Sequence, residues 1–204
     1  MRVMRRSLVT AFVVCSASAC SENGPSEQDV VERAELLRRS TAVRSCDGPA
    51  TSLSASLASA LSPRTGAMQP DDQWADLAES VPGGFAGFIR DDGKLVLFLT
   101  DPSQATAAKA ALAGKTGYDV REAQVRQARW DFAQLVNWFN YLSQQSTLWS
   151  NSGLASADKN EAINRIVYGT VDSASRLLLI QRLEGLDLPC DLIRVEVTGR
   201  VVAL

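Results

Sequence analysis

Two segments of this chain coincide when one is slid 71 positions onto the other, and that places the tightest constraint on its fold. The shift takes Leu95 to Ile166, Val96 to Val167, Asp101 to Asp172, Leu112 to Leu183 and Gly114 to Gly185. Apolar residues can match by chance. Agreement of a helix cap, a core leucine and a helix-ending glycine is better explained by an internal duplication.

Each copy reads as hairpin, helix, strand. In "FAGFIRDDGKLVLFLTD" two apolar runs flank Asp92-Gly93, a two-residue hairpin signal. The run from Lys94 to Thr100 is apolar on both faces, which predicts a central, covered strand. Asp101-Pro102-Ser103-Gln104 then supplies an N-cap, a first-turn proline and a glutamine, opening a helix through "ATAAKAAL" to Gly114. A third strand is predicted in "DVREAQVRQARW", and strand, helix and strand in one sheet imply a parallel crossover. The second copy closes with "LIRVEVTGRVV", where Ile193, Val195 and Val197 alternate with Arg194, Glu196 and Thr198. The predicted fold class is α+β: two tandem ββαβ-like units, near 85–130 and 153–202, each a three-stranded sheet with covering helices, in a duplicated module 71–204.

An aromatic-rich helix, "DFAQLVNWFNYLSQQ", joins the units. Asp131 caps it with Gln134 in the third position, and Phe132, Leu135, Val136, Phe139 and Leu142 form the predicted buried stripe. Trp138 and Tyr141 fall away from that stripe. Two readings follow: core packing, as large aromatics commonly do, or a partner-facing patch anchored by Trp138 and Tyr141. Upstream, "DDQWADLAESV" reads as a short helix stopped by Pro82-Gly83-Gly84, and a further helix is expected over 27–44. Residues 50–70 are Ser/Ala-rich and read as a weakly structured connector, although Leu53, Leu57 and Leu61 lie four apart.

The N-terminus carries an address. Arg2, Arg5 and Arg6 precede the apolar run Leu8 to Val14 and then Ala17-Ser18-Ala19, the order of a signal peptide over 1–19. The run is too short to span a bilayer. The following "ASAC" resembles the lipobox of bacterial lipoproteins, which implies that Cys20 is lipidated; Ala17 stands where that motif has leucine. Lipidation would anchor the protein stably in the bacterial cell envelope, facing the periplasm or exterior. Ordinary cleavage would leave it secreted. With Cys15 in the signal and Cys20 acylated, Cys46 and Cys190 remain as an even pair, expected to form a disulfide in an exported protein. Closing that loop contributes on the order of 4–5 kcal/mol in the chain-entropy account.

Several function classes lose support. Removing 1–20 takes three of 21 basic residues and none of 23 acidic ones, leaving 18 against 23, a formal charge of −5. That balance argues against nucleic acid as a partner. Arg121, Arg126 and Arg129 are interspersed with Glu122 and read as a solvated strand face. The chain has no histidine, so Ser-His-Asp and Cys-His catalysis cannot be assembled and zinc sites lose their commonest nitrogen ligand. Lys94, Lys109, Lys115 and Lys159 are each expected at a turn or an exposed helix position. Asp158, Asn160 and Glu161 match only the start of a calcium loop and read better as a hairpin turn. Asp71-Asp72 and Asp91-Asp92 sit where caps and turns favour aspartate. No enzyme activity, cofactor or metal is expected.

The segments "RWDFAQLVNWFNYL" and "ADKNEAINRIVYGTVD" resemble the propeptide domain of alpha-lytic-protease-type and streptogrisin-type serine proteases, over roughly residues 75–200. The resemblance implies a non-catalytic domain that templates folding of a protease, pairs a strand with it and inserts its C-terminal tail into the active site. No protease segment follows Leu204 in this sequence, so the expectation is a module acting in trans. Its C-terminal strand, placed at a sheet edge, and the tail Arg200, Val201, Val202, Ala203 and Leu204 are the expected binding elements, with an exported peptidase as a candidate partner. The alternative is a structural or assembly lipoprotein of the envelope with no peptidase partner.

Overall fold

The computed structural model describes residues 50–59 and 70–199. All lie within one compact unit spanning Ser40–Leu204. The fold is mixed α+β, with two three-stranded sheets. In chain order the elements are α1 (Ala55–Ser59), α2 (Pro70–Ser80), β1 (Phe85–Asp91), β2 (Lys94–Leu99), α3 (Ala105–Leu112), β3 (Gln124–Gln127), α4 (Phe132–Ser143), α5 (Ser146–Trp149), β4 (Leu154–Asn160), β5 (Arg165–Thr170), α6 (Ser173–Glu184) and β6 (Ile193–Val197).

The sheets run β1-β2-β3 and β4-β5-β6, each an antiparallel hairpin followed by a parallel strand. Asp92 and Gly93 both take positive φ, 47° and 77°, the conformation that matches a two-residue turn to the twist of its strands. The second hairpin turns over Glu161 to Asn164, two residues longer. That difference explains a change of offset within the repeat. Phe85↔Leu99 and Asp91↔Lys94 correspond to Leu154↔Thr170 and Asn160↔Arg165, so the outer strand is shifted by 69 positions and the inner one by 71. A register irregularity at Phe85/Gly87 recurs at Leu154/Ser156.

The predicted caps form. Asp131 accepts from Gln134 N at 2.7 Å while Gln134 Oε1 accepts from Asp131 N at 3.1 Å. Asp172 accepts from Ser175 N at 2.7 Å at the start of α6. Asp101 accepts from Ser103 N at 3.0 Å, and a 3-10 turn over Pro102–Gln104 leads into α3. β3 is much shorter than its predicted segment, because Asp119 Oδ1 draws Arg121 N and Arg121 Nε into a loop before the strand can begin.

One core lies under the first sheet, where Phe85, Phe88, Leu97 and Leu99 meet Ala75 and Ala78 of α2, Ala108 and Leu112 of α3, and Phe132 and Val136 of α4. The Trp74 ring stands edge-on to Phe85, Phe88 and Phe132. A second core gathers Ile166, Tyr168, Leu179, Leu183 and Leu192 with Trp130, Leu135, Trp138, Leu142 and Leu148. Strand β2 is covered on both faces as expected, since Val96 and Phe98 are buried with Ala86 and Ala128 opposite the first core.

Because α4 serves both cores, it does not have one apolar stripe. Trp138, off the predicted stripe, is 5% exposed, whereas Phe139, on it, is half-buried. Within residues 50–59, part of the stretch read as a weakly structured connector, Leu53 is 9% exposed within the second core while Leu57 is 40% exposed. One further expectation needs correction. Lys159 occupies neither a turn nor an exposed helix. It is buried on β4, its ammonium 2.9 Å from Asp71 and 3.8 Å from the Phe139 ring centroid. The paired carboxylate and the aromatic face allow a lysine to be buried there. Cys20, Cys46, the predicted 27–44 helix and the tail Arg200–Leu204 lie outside the described residues.

Candidate protein-binding surfaces

The register of the second sheet determines which backbone groups β6 offers outward. Ile166 pairs with Ile193 and Thr170 with Val197, while Ile166 N donates to Leu192 O at 3.0 Å and Thr198 N donates to Thr170 O at 2.9 Å. In a parallel ladder the groups of residues 192, 194, 196 and 198 therefore face β5, and those of Ile193, Val195 and Val197 face away. Among the described residues β6 is the last strand of its sheet, so the outward groups form an edge. One of them is engaged: Arg176 Nε, from α6, donates to Val195 O at 3.0 Å. Val197 is 47% exposed. The chain leaves β6 through Gly199 toward the predicted tail, with Gly199 N still bonded to Thr170 O.

The second predicted element, the Trp138 and Tyr141 face of α4, is covered by the chain itself. Trp138 Nε1 donates to Thr51 O at 3.1 Å and Gln134 Nε2 donates to Ser52 Oγ at 2.7 Å. Tyr141 packs edge-on to Trp138 at 5.8 Å and remains half-buried.

Three features were not anticipated. Asn164, at the end of the second hairpin turn, is buried with φ 54°. Its Oδ1 accepts from Arg129 N and Trp130 N, both at 2.7 Å, and its Nδ2 donates to Trp130 O at 2.8 Å. This side chain clasps the second hairpin to the β3–α4 junction. Beside it, Glu161 lies against Gly87, where a Cβ would come within 2.6 Å of Glu161 Cγ and where φ is +118°. Close approach therefore requires glycine at that point. Tyr168 is buried against Phe139 and Trp149, and among the described residues its hydroxyl has no hydrogen-bond partner.

Two predictions follow directly from the last two features. Burial raises the Glu161 carboxyl above its ordinary range, with Asp158 and Asp71 adding to the shift and Lys159 opposing it. The folded state thus keeps this proton to higher pH than the unfolded chain does. Stability should fall as pH rises from about the unfolded value of 4.5 through the raised folded value. Glu161→Gln should flatten that part of the profile; denaturant midpoints between pH 4 and 8 measure it. Burial also raises the Tyr168 phenol. Since its hydroxyl is buried with no partner among the described residues, Tyr168→Phe should leave the urea midpoint unchanged or raise stability by up to about 1 kcal/mol.

An open cleft of about 610 Å³ is lined by Ala50, Thr100, Gln127, Ala128, Arg129, Asp131 and Gln134. Its polar groups serve the fold: Asp131 and Gln134 form the α4 cap, and Gln127 Nε2 donates to Thr100 O at 2.9 Å. The basic residues singled out earlier also have local partners, Arg121 with Asp119 and Arg126 with Asp91, both at 2.6 Å. Arg129 lies 5.8 Å from the Trp130 ring centroid. At the suspected calcium loop, Asn160 Oδ1 accepts from Ile163 N at 3.2 Å, a turn-forming bond. Cys190 lies half-buried in the turn between α6 and β6.

No protein-family model, no curated protein and no solved structure matches this chain.

Proposed function

We propose that this protein is a non-catalytic binding module of the bacterial cell envelope, anchored through lipidated Cys20, that captures a strand of another protein along the outer edge of β6. The outward register of Ile193, Val195 and Val197 carries the proposal, because an edge with no further strand among the described residues, and with only Val195 O engaged by Arg176, can bind an extended segment through backbone hydrogen bonds. The tail Arg200–Leu204, which follows β6 in the sequence, is the proposed second binding element. The propeptide resemblance makes an exported peptidase, bound in trans, the preferred partner class.

The shared strand order and the recurring register irregularity support an origin by duplication of a ββαβ unit, with α4 joining the two copies. Cys46 is the proposed partner of Cys190. Ala50 lines the same cleft as Arg129 and Asp131, while Trp130 Nε1 donates to Asp191 O, one residue beyond Cys190. Cys46 lies four positions before Ala50 in the sequence, a reach of about 13 Å.

Crosslinking from a photoreactive residue at Val197 in the native membrane fraction, with and without residues 200–204, tests the binding role. A discrete peptidase adduct that weakens on tail removal is the expected result. Recovery of envelope structural proteins alone would instead favour the assembly-lipoprotein alternative. Cys20→Ser should move the protein from the membrane to the soluble fraction.

A further inference from the structure

The segment Ala50–Ser59 is held on α4 by a small and specific set of contacts. Thr51 presents its carbonyl to Trp138 Nε1, Ser52 presents its hydroxyl to Gln134 Nε2, and Leu53 enters the cluster containing Trp138 and Leu142. Ala50 and Ala58 pack against the same cluster while only partly buried. No residue of α1 is buried, and its own hydrogen bonds are local, including Leu57 N to Ser54 Oγ at 3.3 Å and Ala58 N to Ser54 O at 2.8 Å. One buried leucine, two partly buried alanines and two side-chain-mediated hydrogen bonds make a contact that can open without unfolding the two cores. Beneath it lie an indole N–H, a glutamine amide and an aromatic surface, the features of a site for an extended peptide.

We infer that the Trp138 face of α4 is a peptide-binding groove occupied in cis by the segment Ala50–Ser59. The ligand it fits is a short extended segment with a leucine preceded by serine or threonine: the indole takes the backbone carbonyl two residues before the leucine, and Gln134 takes the hydroxyl between them. This groove is separate from the β6 edge. The tether gives the cis segment a millimolar effective concentration, so a partner segment must exceed it in affinity or number to displace it.

The test uses the full chain with Leu53→Asp, which removes the buried anchor, and a synthetic peptide of residues 50–59. Hydrogen exchange of 50–59 should accelerate while β2 and β5 stay protected, and the variant should bind the peptide at least tenfold more tightly than wild type. A peptide carrying the same Leu53→Asp change should not bind. Should Leu53→Asp fail to fold, Ser52→Ala with Leu53→Ala serves instead, removing the hydroxyl and most of the anchor while leaving the α4 cap and the groove intact. That variant should lift the segment and likewise bind the wild-type peptide at least tenfold more tightly than the wild-type protein does. A lifted segment in Leu53→Asp with no gain in peptide binding would overturn the inference, as would fast exchange of β2 and β5 together with 50–59 in either variant. Exchange of segments between two copies, seen as a dimer of Leu53→Asp with wild type, would show the same groove filled in trans.

Discussion

Asn164→Ala is expected to lower the unfolding free energy by about 3–5 kcal/mol, because it strands a buried donor and acceptor of Trp130 and a part-buried donor of Arg129 at once. Those groups are Arg129 N, Trp130 N and Trp130 O, at 2.7, 2.7 and 2.8 Å from the amide. Asn164 also sits at φ 54°, a conformation asparagine tolerates better than alanine. Two further variants separate these contributions. Asn164→Gly relieves the backbone and should recover only a part of the loss, on the order of 1 kcal/mol. Asn164→Asp keeps the acceptor for both N–H groups but loses the donor to Trp130 O. Urea unfolding of the three variants should rank Asp and Gly above Ala. Equal midpoints for Ala and wild type would mean that the clasp contributes nothing.

Trp130→Ala should be comparably severe, about 3–5 kcal/mol, since the residue is fully buried and its removal leaves a large cavity. Its position gives the substitution a second readout. Trp130 follows the first sheet in sequence, yet its ring belongs to the second core and its indole donates to Asp191 O at 3.3 Å. Loss of the ring should therefore reduce protection of β2 and β5 together, in one cooperative transition. Trp130→Phe should recover most of the stability. Independent melting of the two sheets in Trp130→Ala would show that the junction does not couple them.

The parts of the fold that were legible in the sequence are those set by near neighbours. Asp92-Gly93 specifies its turn through backbone conformation alone, and the caps at Asp101, Asp131 and Asp172 bond within three residues of themselves. The parts that were not legible depend on distant segments. Asn164 bonds across 34 and 35 positions, and nothing in "NEAINRIV" distinguishes it from an ordinary turn residue. Trp138 falls off the stripe that helical periodicity defines for a single core, whereas α4 lies between two. The burial of Lys159 is not legible because it requires Asp71 and Phe139 to converge on it from other elements. For the candidate site, alternation in "LIRVEV" indicated a strand, but the outward direction of its odd-numbered backbone groups follows from pairing with β5 and cannot be read from side chains.

The outer edge of β6 is tested most directly by Val195→Pro. Proline removes an N–H that faces away from β5, so the β5–β6 ladder and the stability of the protein should survive. With a photoreactive residue at Val197, the full-length protein in its own membrane should lose at least 90% of its partner adduct on this substitution, by the loss of one edge hydrogen bond and the steric block of the ring. An unchanged adduct yield from a Val195→Pro protein that melts like wild type would contradict strand capture at this edge.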